Sequence, residues 1–293
     1  MSAEKALTRR SQLFVPANRP KLVSGAGRHQ ADAFILDLED SVPPNERGAA
    51  REALADAVAG LSGDRYVSVR VNKPFEVVID DLDAAVAARP AALVVPKVES
   101  AVEVHVLDAL IGEREIRLGM TPGTIELQVL VETSLGLANV VEIALASPRI
   151  VSMTLGVEDL AKELEIEPGA AGFDLSWAHG RVLMAARAAG IAPYGLMNSL
   201  SNYADLDALT ADVHRSRAFG FVGAFCIHPS QVPILNAGFS PSEEEVAQAR
   251  RIVAALDDAE RAGAASTSLD GRMIDVPVAE RARRILRRAN SLT

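Results

Sequence analysis

Short apolar runs alternate with amphipathic stretches along most of the chain. This alternation is typical of βα units around a parallel sheet, whose strands are buried on both faces. The pattern predicts eight strands, whereas doubly wound sheets more often have about five or six. We therefore expect an α/β protein with a (β/α)8 barrel. The predicted strands are residues 11–16, 33–38, 66–71, 92–96, 126–131, 150–155, 192–197 and 221–227.

The pattern changes near residue 240. A serine followed by three glutamates starts a predicted helix that runs to about Ala262. Residues 263–268 form a predicted small-residue hinge, and a basic helix follows from Ala279 to Asn290. We expect a barrel domain over residues 1–239 and a helical extension or lid over residues 240–293. The polar loop of residues 161–173 is a second candidate for a lid or a subunit contact.

Composition narrows the class of protein. Of the 293 residues 49% are apolar, which is enough for a substantial core, and the formal net charge of -9 argues against nucleic acid as the main partner. The single cysteine excludes an intramolecular disulfide framework. The first ten residues lack the apolar stretch of a signal peptide, and no apolar run approaches about 18 residues. We expect a soluble, cytoplasmic protein that binds neither nucleic acid nor membrane.

Carboxylates follow two of the predicted strands. Glu132 comes directly after residues 128–131, and Glu158 and Asp159 follow the next strand. Parallel barrels carry their chemistry at this end of the strands. The 27 positions from Glu132 to Asp159 match one βαβ unit of roughly 30 residues. Because neighbouring strands lie about 4.8 Å apart, both carboxylates can reach one hard divalent cation.

The second strand ends in three acids, Asp37, Glu39 and Asp40. Strand alternation puts Asp37 and Glu39 on one face and Asp40 on the other, so the three are not expected to point into one site. Buried acids are costly unless they are paired or bound to metal, which favours a functional mouth. A helix-capping role for Asp40 or Ser41 is an equally open alternative.

Basic residues lie in or just after three strands. Arg70 must meet an anion inside a barrel, either a substrate carboxylate or carbonyl oxygen, or an acid of the second strand. Lys97 is expected to pair with a carboxylate at the mouth rather than to form a Schiff base. Arg19 and Lys21 flank a predicted helix start at Pro20, where they would hold a phosphate or belong to an ordinary solvated loop.

Eight motifs, taken together and in this order, resemble the HpcH/HpaI aldolase family. The similarity is to its citrate lyase β-subunit-like branch, which also holds malyl-CoA and citramalyl-CoA lyases. The motifs span nearly the whole chain. They are RSQLFVP (10–16), DLEDSV (37–42), VRVN (69–72), VPKVE (95–99), VET (131–133), GVEDL (156–160), IHPSQ (227–231) and GRMIDVP (271–277).

The resemblance implies a barrel, usually assembled as trimers, that cleaves or forms a carbon–carbon bond beside a carboxylate. By matching positions, Glu132 and Asp159 correspond to ligands of Mg2+, with Mn2+ as a substitute, and Arg70 to the arginine beside the oxo acid. Asp275 matches an acid contributed by a C-terminal segment, often of the neighbouring subunit. The segment around Pro16, Arg19 and Lys21 resembles the part of the family that binds the coenzyme A nucleotide. From the strand ends themselves, Asp37, Glu39, Asp40 and Lys97 are candidates for positions around the metal ligands.

The expected function is a Mg2+-dependent lyase for a 3-hydroxyacyl-CoA such as malyl-CoA or citramalyl-CoA, giving an acyl-CoA and a 2-oxo acid. Three alternatives remain: an aldolase on a free 2-oxo acid and an aldehyde, a citrate lyase β-like subunit acting on an acyl carrier thioester, and a non-catalytic binding subunit. Ala17 and Ala224 replace a glycine and a lysine common in the family, and strand seven ends in Asn198 rather than aspartate. These departures imply a changed acyl carrier or oxo acid.

Overall fold

The chain forms two compact units. The computed structural model describes residues 8–63, 65–168, 174–199 and 203–292. The first unit ends at Asn236 and the second begins at Ala237, three residues before the predicted change of character. The first unit carries an eight-stranded sheet with helices between its strands, and the second carries two long helices and a hairpin.

The eight predicted strands are all present, and each pairs in parallel with its neighbours. Five of them are shorter than predicted at one or both ends, the eighth by four residues. An apolar run extends past a strand wherever the adjoining loop is also buried, as at Phe221 and Met197. The strands are β1 Ser11–Pro16, β2 Ala33–Asp37, β3 Tyr66–Arg70, β4 Ala92–Val95, β5 Glu126–Val131, β6 Ile150–Leu155, β7 Ala192–Tyr194 and β8 Ala224–Cys226.

The sheet closes on itself. The strand order is β7-β6-β5-β4-β3-β2-β1-β8, so β1 is flanked by β2 and β8. Two backbone hydrogen bonds join the remaining edges: Gly195 donates to Gly223 at 3.0 Å, and Val222 donates to Pro193 at 3.1 Å. The predicted (β/α)8 barrel is confirmed, and no strand edge of this sheet is left for another chain to extend.

Helices connect the strands, as the pattern predicted. Two single-turn 3-10 helices, Pro44–Glu46 and Pro229–Gln231, accompany them. The helices up to Gly238 are α1 Pro20–Ala26, α2 Arg47–Glu52, α3 Leu54–Ser62, α4 Phe75–Ala88, α5 Ala101–Arg117, α6 Ser134–Ala138, α7 Val140–Leu145, α8 Val157–Glu163, α9 Ser176–Ala188, α10 Leu206–Phe219 and α11 Val232–Gly238.

An apolar layer fills the barrel just below its C-terminal mouth. Ile35, Val94 and Leu130 pack there with Phe225, and the ring of Phe14 packs against them. Side chains two positions apart on a strand share a face. Asp37 and Glu132, two positions after Ile35 and Leu130, therefore stand above this apolar floor.

A buried ionic network ties the opposite end together. The Glu115 carboxylate of α5 is fully buried and accepts hydrogen bonds from Arg149 at 2.7 and 3.0 Å. It also accepts from the backbone N–H groups of Gly123 and Ile125 at 2.8 and 2.7 Å. Because these four donors satisfy both carboxylate oxygens, Glu115 links α5 to the starts of β5 and β6.

The C-terminal unit is built from two helices and a hairpin. Helix α12, Glu243–Arg261, begins at Ser242, whose side chain and that of Glu245 cap each other's backbone, so its predicted start is confirmed. The predicted hinge is only partly right, since its last two residues already belong to a strand. The hairpin pairs β9 Thr267–Leu269 with β10 Arg272–Ile274, and α13 follows over Val276–Ser291. Leu256, Ile274 and Ala279 form the unit's small core.

The described residues test the expectations about membrane segments and lids only in part. Among the described helices, none has the length and apolar character needed to cross a bilayer. Part of the loop predicted over residues 161–173 is the end of α8, and residues 169–173 lie outside the described residues. Residues 1–7, on which the signal-peptide expectation rests, also lie outside them.

His179 generates a prediction about stability. This side chain of α9 is fully buried with its ring edge-on to Phe221 at 5.5 Å, and burial lowers the pKa of its imidazole from 6.5 to about 4. Between pH 6.5 and about pH 4 this histidine binds a proton in the unfolded chain but not in the folded protein. The free energy of unfolding therefore falls as the pH drops below 6.5.

We expect wild type to lose about 2 kcal/mol of unfolding free energy relative to His179→Leu between pH 7.5 and pH 5. Urea unfolding of both proteins at the two pH values measures this difference, and other titrating groups cancel in the comparison. Parallel pH curves for the two proteins would show that His179 protonates freely in the native state.

Candidate active site

Glu132 is the most buried acid of the barrel mouth after Asp37. It follows β5, its side chain is 5% exposed, and its Oε2 accepts a hydrogen bond from the backbone N–H of Lys97 at 2.9 Å. The pKa of Glu132 is raised to about 7, mainly by burial and also by the negative charges of Glu39 and Asp159, against the opposing effect of Lys97. The carboxylate therefore lies where additional positive charge would stabilise it.

A glycine makes room for this carboxylate. Gly156, between β6 and α8, donates its N–H to the carbonyl of Val131 at 2.9 Å, which holds the ends of β5 and β6 side by side. A Cβ at position 156 would lie 2.3 Å from Oε1 of Glu132 and 2.4 Å from its Cγ. Only glycine lets Glu132 lie directly against the backbone that enters α8, the helix that carries Asp159.

Lys97 connects the acids. Its Nζ lies 2.9 Å from Oε1 of Glu39 and 3.6 Å from Oδ2 of Asp159. Burial by itself would lower the pKa of this ammonium, but the hydrogen bond to Glu39 and the nearby acids raise it well above its usual value. The predicted ion pair is present. A permanently charged lysine does not form a Schiff base readily, so the expectation against that chemistry agrees with the geometry.

Arg70 is surrounded by all three acids of the second strand. Asp37 accepts two hydrogen bonds from it at 2.6 and 2.7 Å, and Oε2 of Glu39 and Oδ2 of Asp40 lie 3.0 and 3.1 Å from its Nη1. The guanidinium also lies over the ring of Phe14, 4.6 Å from its centroid. The anticipated pairing with the acids of the second strand is therefore present. A role toward substrate would have to coexist with it.

The prediction that Asp40 points away from Asp37 and Glu39 was wrong. Strand β2 ends at Asp37, and a turn follows in which Val42 donates to the carbonyl of Glu39 at 3.0 Å. Strand alternation no longer applies in that turn, so all three acids converge on Arg70. The capping alternative was also wrong, because Pro43 precedes the 3-10 helix without any side-chain cap.

Asp37 holds this turn in place. Besides Arg70, its carboxylate binds the Ser41 hydroxyl at 2.5 Å, the Ser41 N–H at 3.1 Å and the Glu39 N–H at 3.0 Å. Although burial acts to raise the pKa of Asp37, the bonds from Arg70 and Ser41 lower it below its usual range. With all these donors engaged, Asp37 organises the loop and remains ionised.

The mouth carries an excess of negative charge. Its members are the five carboxylates of Asp37, Glu39, Asp40, Glu132 and Asp159 and the two cations of Arg70 and Lys97. In the described ranges no cluster of three or more His, Cys, Asp or Glu side chains has the arrangement of a metal site. Mg2+ commonly uses only one or two carboxylates and takes its other oxygens from water and substrate. The pair Glu132 and Asp159 fits that ion, or Mn2+, better than Zn2+, which favours nitrogen and sulfur.

The remaining predicted residues belong to β1, to the start of α1 and to the C-terminal unit. Pro16 is the last residue of β1 and is half-buried, while Arg19 and Lys21 are exposed on either side of Pro20, which opens α1 as predicted. Nη2 of Arg19 lies 4.0 Å from Oε2 of Glu46. Asp275 belongs to the C-terminal unit, where its Oδ1 accepts a hydrogen bond from the Val278 N–H at 3.1 Å and caps α13.

Sequence reasoning missed the support beneath Lys97. The Lys97 backbone is left-handed, with φ of 52°, and Lys73 contacts its carbonyl oxygen through Nζ. Lys73 is fixed in turn by Glu103 at 2.8 Å and Glu99 at 3.6 Å. Lys73 follows the VRVN motif directly but lies outside it, so its role follows only from the tertiary contacts. Gly156, by contrast, stood inside the GVEDL motif and was identifiable.

Comparison with known proteins places this geometry in context. The sequence model described as HpcH/HpaI aldolase/citrate lyase matches residues 10–229. A citrate lyase subunit beta of Leuconostoc mesenteroides subsp. cremoris is 34% identical over 287 residues, covering 97% of this chain and 94% of that protein. An L-malyl-CoA/beta-methylmalyl-CoA lyase of Cereibacter sphaeroides is 34% identical over 314 residues, covering 99% and 98%.

A solved structure agrees over the whole length. The protein CitE from Mycobacterium tuberculosis, in complex with magnesium, acetoacetate and coenzyme A, superposes with a TM-score of 0.80 at 32% identity. The match covers 98% of this chain and 99% of that one. Fold, motif order and near full-length similarity agree, and the chain belongs to the HpcH/HpaI aldolase/citrate lyase family.

Proposed function

We propose that this protein is a Mg2+-dependent carbon–carbon lyase. It cleaves, or in reverse forms, a 3-hydroxyacyl-CoA with a distal carboxylate, such as malyl-CoA or citramalyl-CoA, giving an acyl-CoA and a 2-oxo acid. The observation that carries the proposal is the buried Glu132 beside Asp159, facing Arg70 and Lys97 at the C-terminal mouth of the barrel. The similarity to a malyl-CoA lyase and to a CitE structure with magnesium and coenzyme A supports it.

In this proposal Glu132 and Asp159 hold Mg2+, and Mn2+ can replace it. The bound ion supplies Lewis-acid polarisation of the 2-oxo acid and a template for its orientation. Glu132 is suited to this task because burial destabilises its charge until a cation is near. Lys97 positions the acids around the ion: its backbone N–H binds Glu132, and its ammonium group pairs with Glu39 and Asp159.

Arg70 neutralises charge on the oxo-acid portion of the substrate. Its guanidinium has five donors, and the contacts with Asp37, Glu39 and Asp40 keep it charged and oriented above Phe14. In the low-dielectric space above the apolar floor such a fixed cation stabilises developing negative charge more strongly than it would in water.

Cleavage follows a retro-aldol course. A base removes the proton of the 3-hydroxyl, the bond between the α-carbon and the hydroxyl-bearing carbon breaks, and its electron pair moves onto the thioester carbonyl as an enolate. Protonated Asp275 then gives its proton to the α-carbon, and in the reverse direction ionised Asp275 removes that proton. We propose that this aspartate acts on the site of a neighbouring subunit in a homotrimer, with the C-terminal unit as its carrier or lid.

The nucleotide end of coenzyme A is proposed to lie near Pro16, Arg19 and Lys21. These residues follow β1, whose end adjoins Asp37 in register. The side chains of Arg19 and Lys21 are exposed, and their positive charges suit the phosphates of coenzyme A. A second candidate is an acyl carrier thioester as substrate, favoured by relatives such as the citrate lyase subunit beta of Escherichia coli, 36% identical over 291 residues.

The first test is product release. We expect the protein to release glyoxylate from malyl-CoA or pyruvate from citramalyl-CoA only when Mg2+ is present, because the acids of the mouth need a cation to bind the oxo acid. Wild type is compared with Glu132→Gln, which should release neither. Release that persists in EDTA would contradict the metal requirement, and inactivity toward both thioesters in protein that binds Mg2+ would direct the search to the acyl carrier.

Gly156→Ala should weaken Mg2+ binding at least tenfold, because the new Cβ meets the Glu132 carboxylate at 2.3 Å and must displace it. Titration calorimetry with MgCl2 measures the affinity. Gly60→Ala in helix α3 is the matched control, since a Cβ there meets no atom within 4 Å. Equal Mg2+ affinity in the two variants would remove Glu132 from the metal site.

Asp275→Asn should lower kcat by a factor of about 100 or more while Mg2+ affinity and stability stay unchanged. Stability should persist because asparagine caps a helix about as well as aspartate, and Asp275 caps α13. Steady-state kinetics and thermal melting are compared with Asp270→Asn, an exposed acid of the same unit paired with Arg251. Unchanged turnover in Asp275→Asn would exclude it from proton transfer.

A further inference from the structure

A fully buried carboxylate lies behind the site, on helix α4. Asp81 has no exposed surface and accepts three hydrogen bonds. Arg51 donates through Nε at 2.7 Å, and Asn72 donates both its backbone N–H at 2.8 Å and its side-chain Nδ2 at 2.7 Å. The buried charge is therefore paired and hydrogen-bonded. Two of the three hydrogen bonds come from Asn72, which lies two positions after Arg70.

Asn72, fixed by Asp81, also holds the loop after β2 through a hydrogen bond. Its Nδ2 also donates to the carbonyl oxygen of Leu38 at 2.8 Å, and the Leu38 N–H donates to the carbonyl of Arg70 at 3.0 Å. Both polar groups of Leu38 are thus tied to the segment that ends β3. Asn72 itself is 1% exposed, so loss of its side chain would deprive the Leu38 carbonyl and the Asp81 carboxylate of a buried donor.

Leu38 stands between Asp37 and Glu39, two of the acids that contact Arg70. Glu39 bridges the two cations of the mouth, with Oε2 3.0 Å from Arg70 and Oε1 2.9 Å from Lys97. The position of this bridge depends on where the Leu38 peptide lies. Small displacements of a charged group in a catalytic site change rates strongly, because the geometry is what the site supplies.

We propose that Asn72 and Asp81 are positioning residues: through the Leu38 carbonyl they hold Glu39 between Arg70 and Lys97 and so fix the two cations that face the substrate. The inference rests on the proposed lyase function for its kinetic consequence and on the structure alone for its effect on the loop. Neither residue touches the proposed metal ligands Glu132 and Asp159 in any described contact, so any influence on metal binding would act through Glu39 and Lys97.

The experiment compares Asn72→Ala with Glu115→Gln. Glu115 is an equally buried carboxylate that binds an arginine and two backbone N–H groups, but at the opposite end of the barrel. Amide hydrogen exchange over residues 38–42 is measured together with kcat and KM for the thioester substrate. Each variant is assayed at the same interval below its own melting temperature, so that general destabilisation cancels.

We expect exchange at residues 38–42 to accelerate at least tenfold in Asn72→Ala and to stay unchanged in Glu115→Gln. We also expect kcat/KM to fall at least tenfold, mainly through KM, in Asn72→Ala alone, because loosened cations weaken the grip on the carboxylate in ground and transition states alike. Asn72→Ser, which keeps one short donor, should fall between the two and serves if the alanine variant does not fold.

Equal exchange and equal kinetics in the Asn72 and Glu115 variants would overturn the proposal and leave Asn72 a purely structural residue. Faster exchange without any kinetic change would overturn the link from the loop to catalysis. If wild type itself cleaves no thioester, the lyase proposal fails while hydrogen exchange still decides whether Asn72 holds the loop.

Discussion

Mutual repulsion among carboxylates is the constraint on which this site depends. Five acids converge on the mouth of one barrel, and they can do so only because Arg70 and Lys97 stand between them. Arg70 is suited to the position because its guanidinium cannot shed its charge and offers several donors in one plane. Removing either cation would leave buried acids uncompensated, a cost larger than the value of any single ion pair.

The negative charge of Glu132 is only partly compensated by its surroundings. Asp37 accepts enough hydrogen bonds to stay ionised. Among the described residues Glu132 accepts from one backbone N–H and faces neighbouring acids, and its pKa is raised to about 7. Two carboxylates of the same mouth thus have opposite electrostatic environments. The first stabilises the loop and the second is left with capacity for a further cation, which is how environment alone assigns different roles to like groups.

Much of this was predictable from the sequence, and the exceptions have physical causes. The strands and the pairing of Glu132 with Asp159 follow from hydrophobic period and from the rule that parallel strands end together. Asp40 was misplaced because alternation was extended beyond the last strand residue. Asp81 is a single acid within an amphipathic helix, and nothing local distinguishes it from a surface residue. The β9–β10 hairpin was missed because its strands are short and largely exposed, so they leave no alternation of burial.

The hydrophobic pattern and the charged residues at the strand ends do not identify the function by themselves. A barrel mouth with acids and two cations fits several chemistries, and the fold by itself hosts many. Motif order and full-length similarity decided among them, while the individual contacts showed which acids are already occupied. The division of labour between Asp37 and Glu132 is visible only once the donors around each carboxylate are known.

The left-handed backbone at Lys97 has a consequence for protein engineering. A side chain in that conformation costs the fold roughly 1 kcal/mol or more, and glycine would relieve it. Glycine at position 97 would nevertheless destabilise the protein, because loss of the cation costs more than the relieved strain. That choice would delete the ammonium that joins Glu39 to Asp159. The ion pairs of the side chain therefore maintain a strained backbone at Lys97, and protein stability itself opposes the loss of this charge.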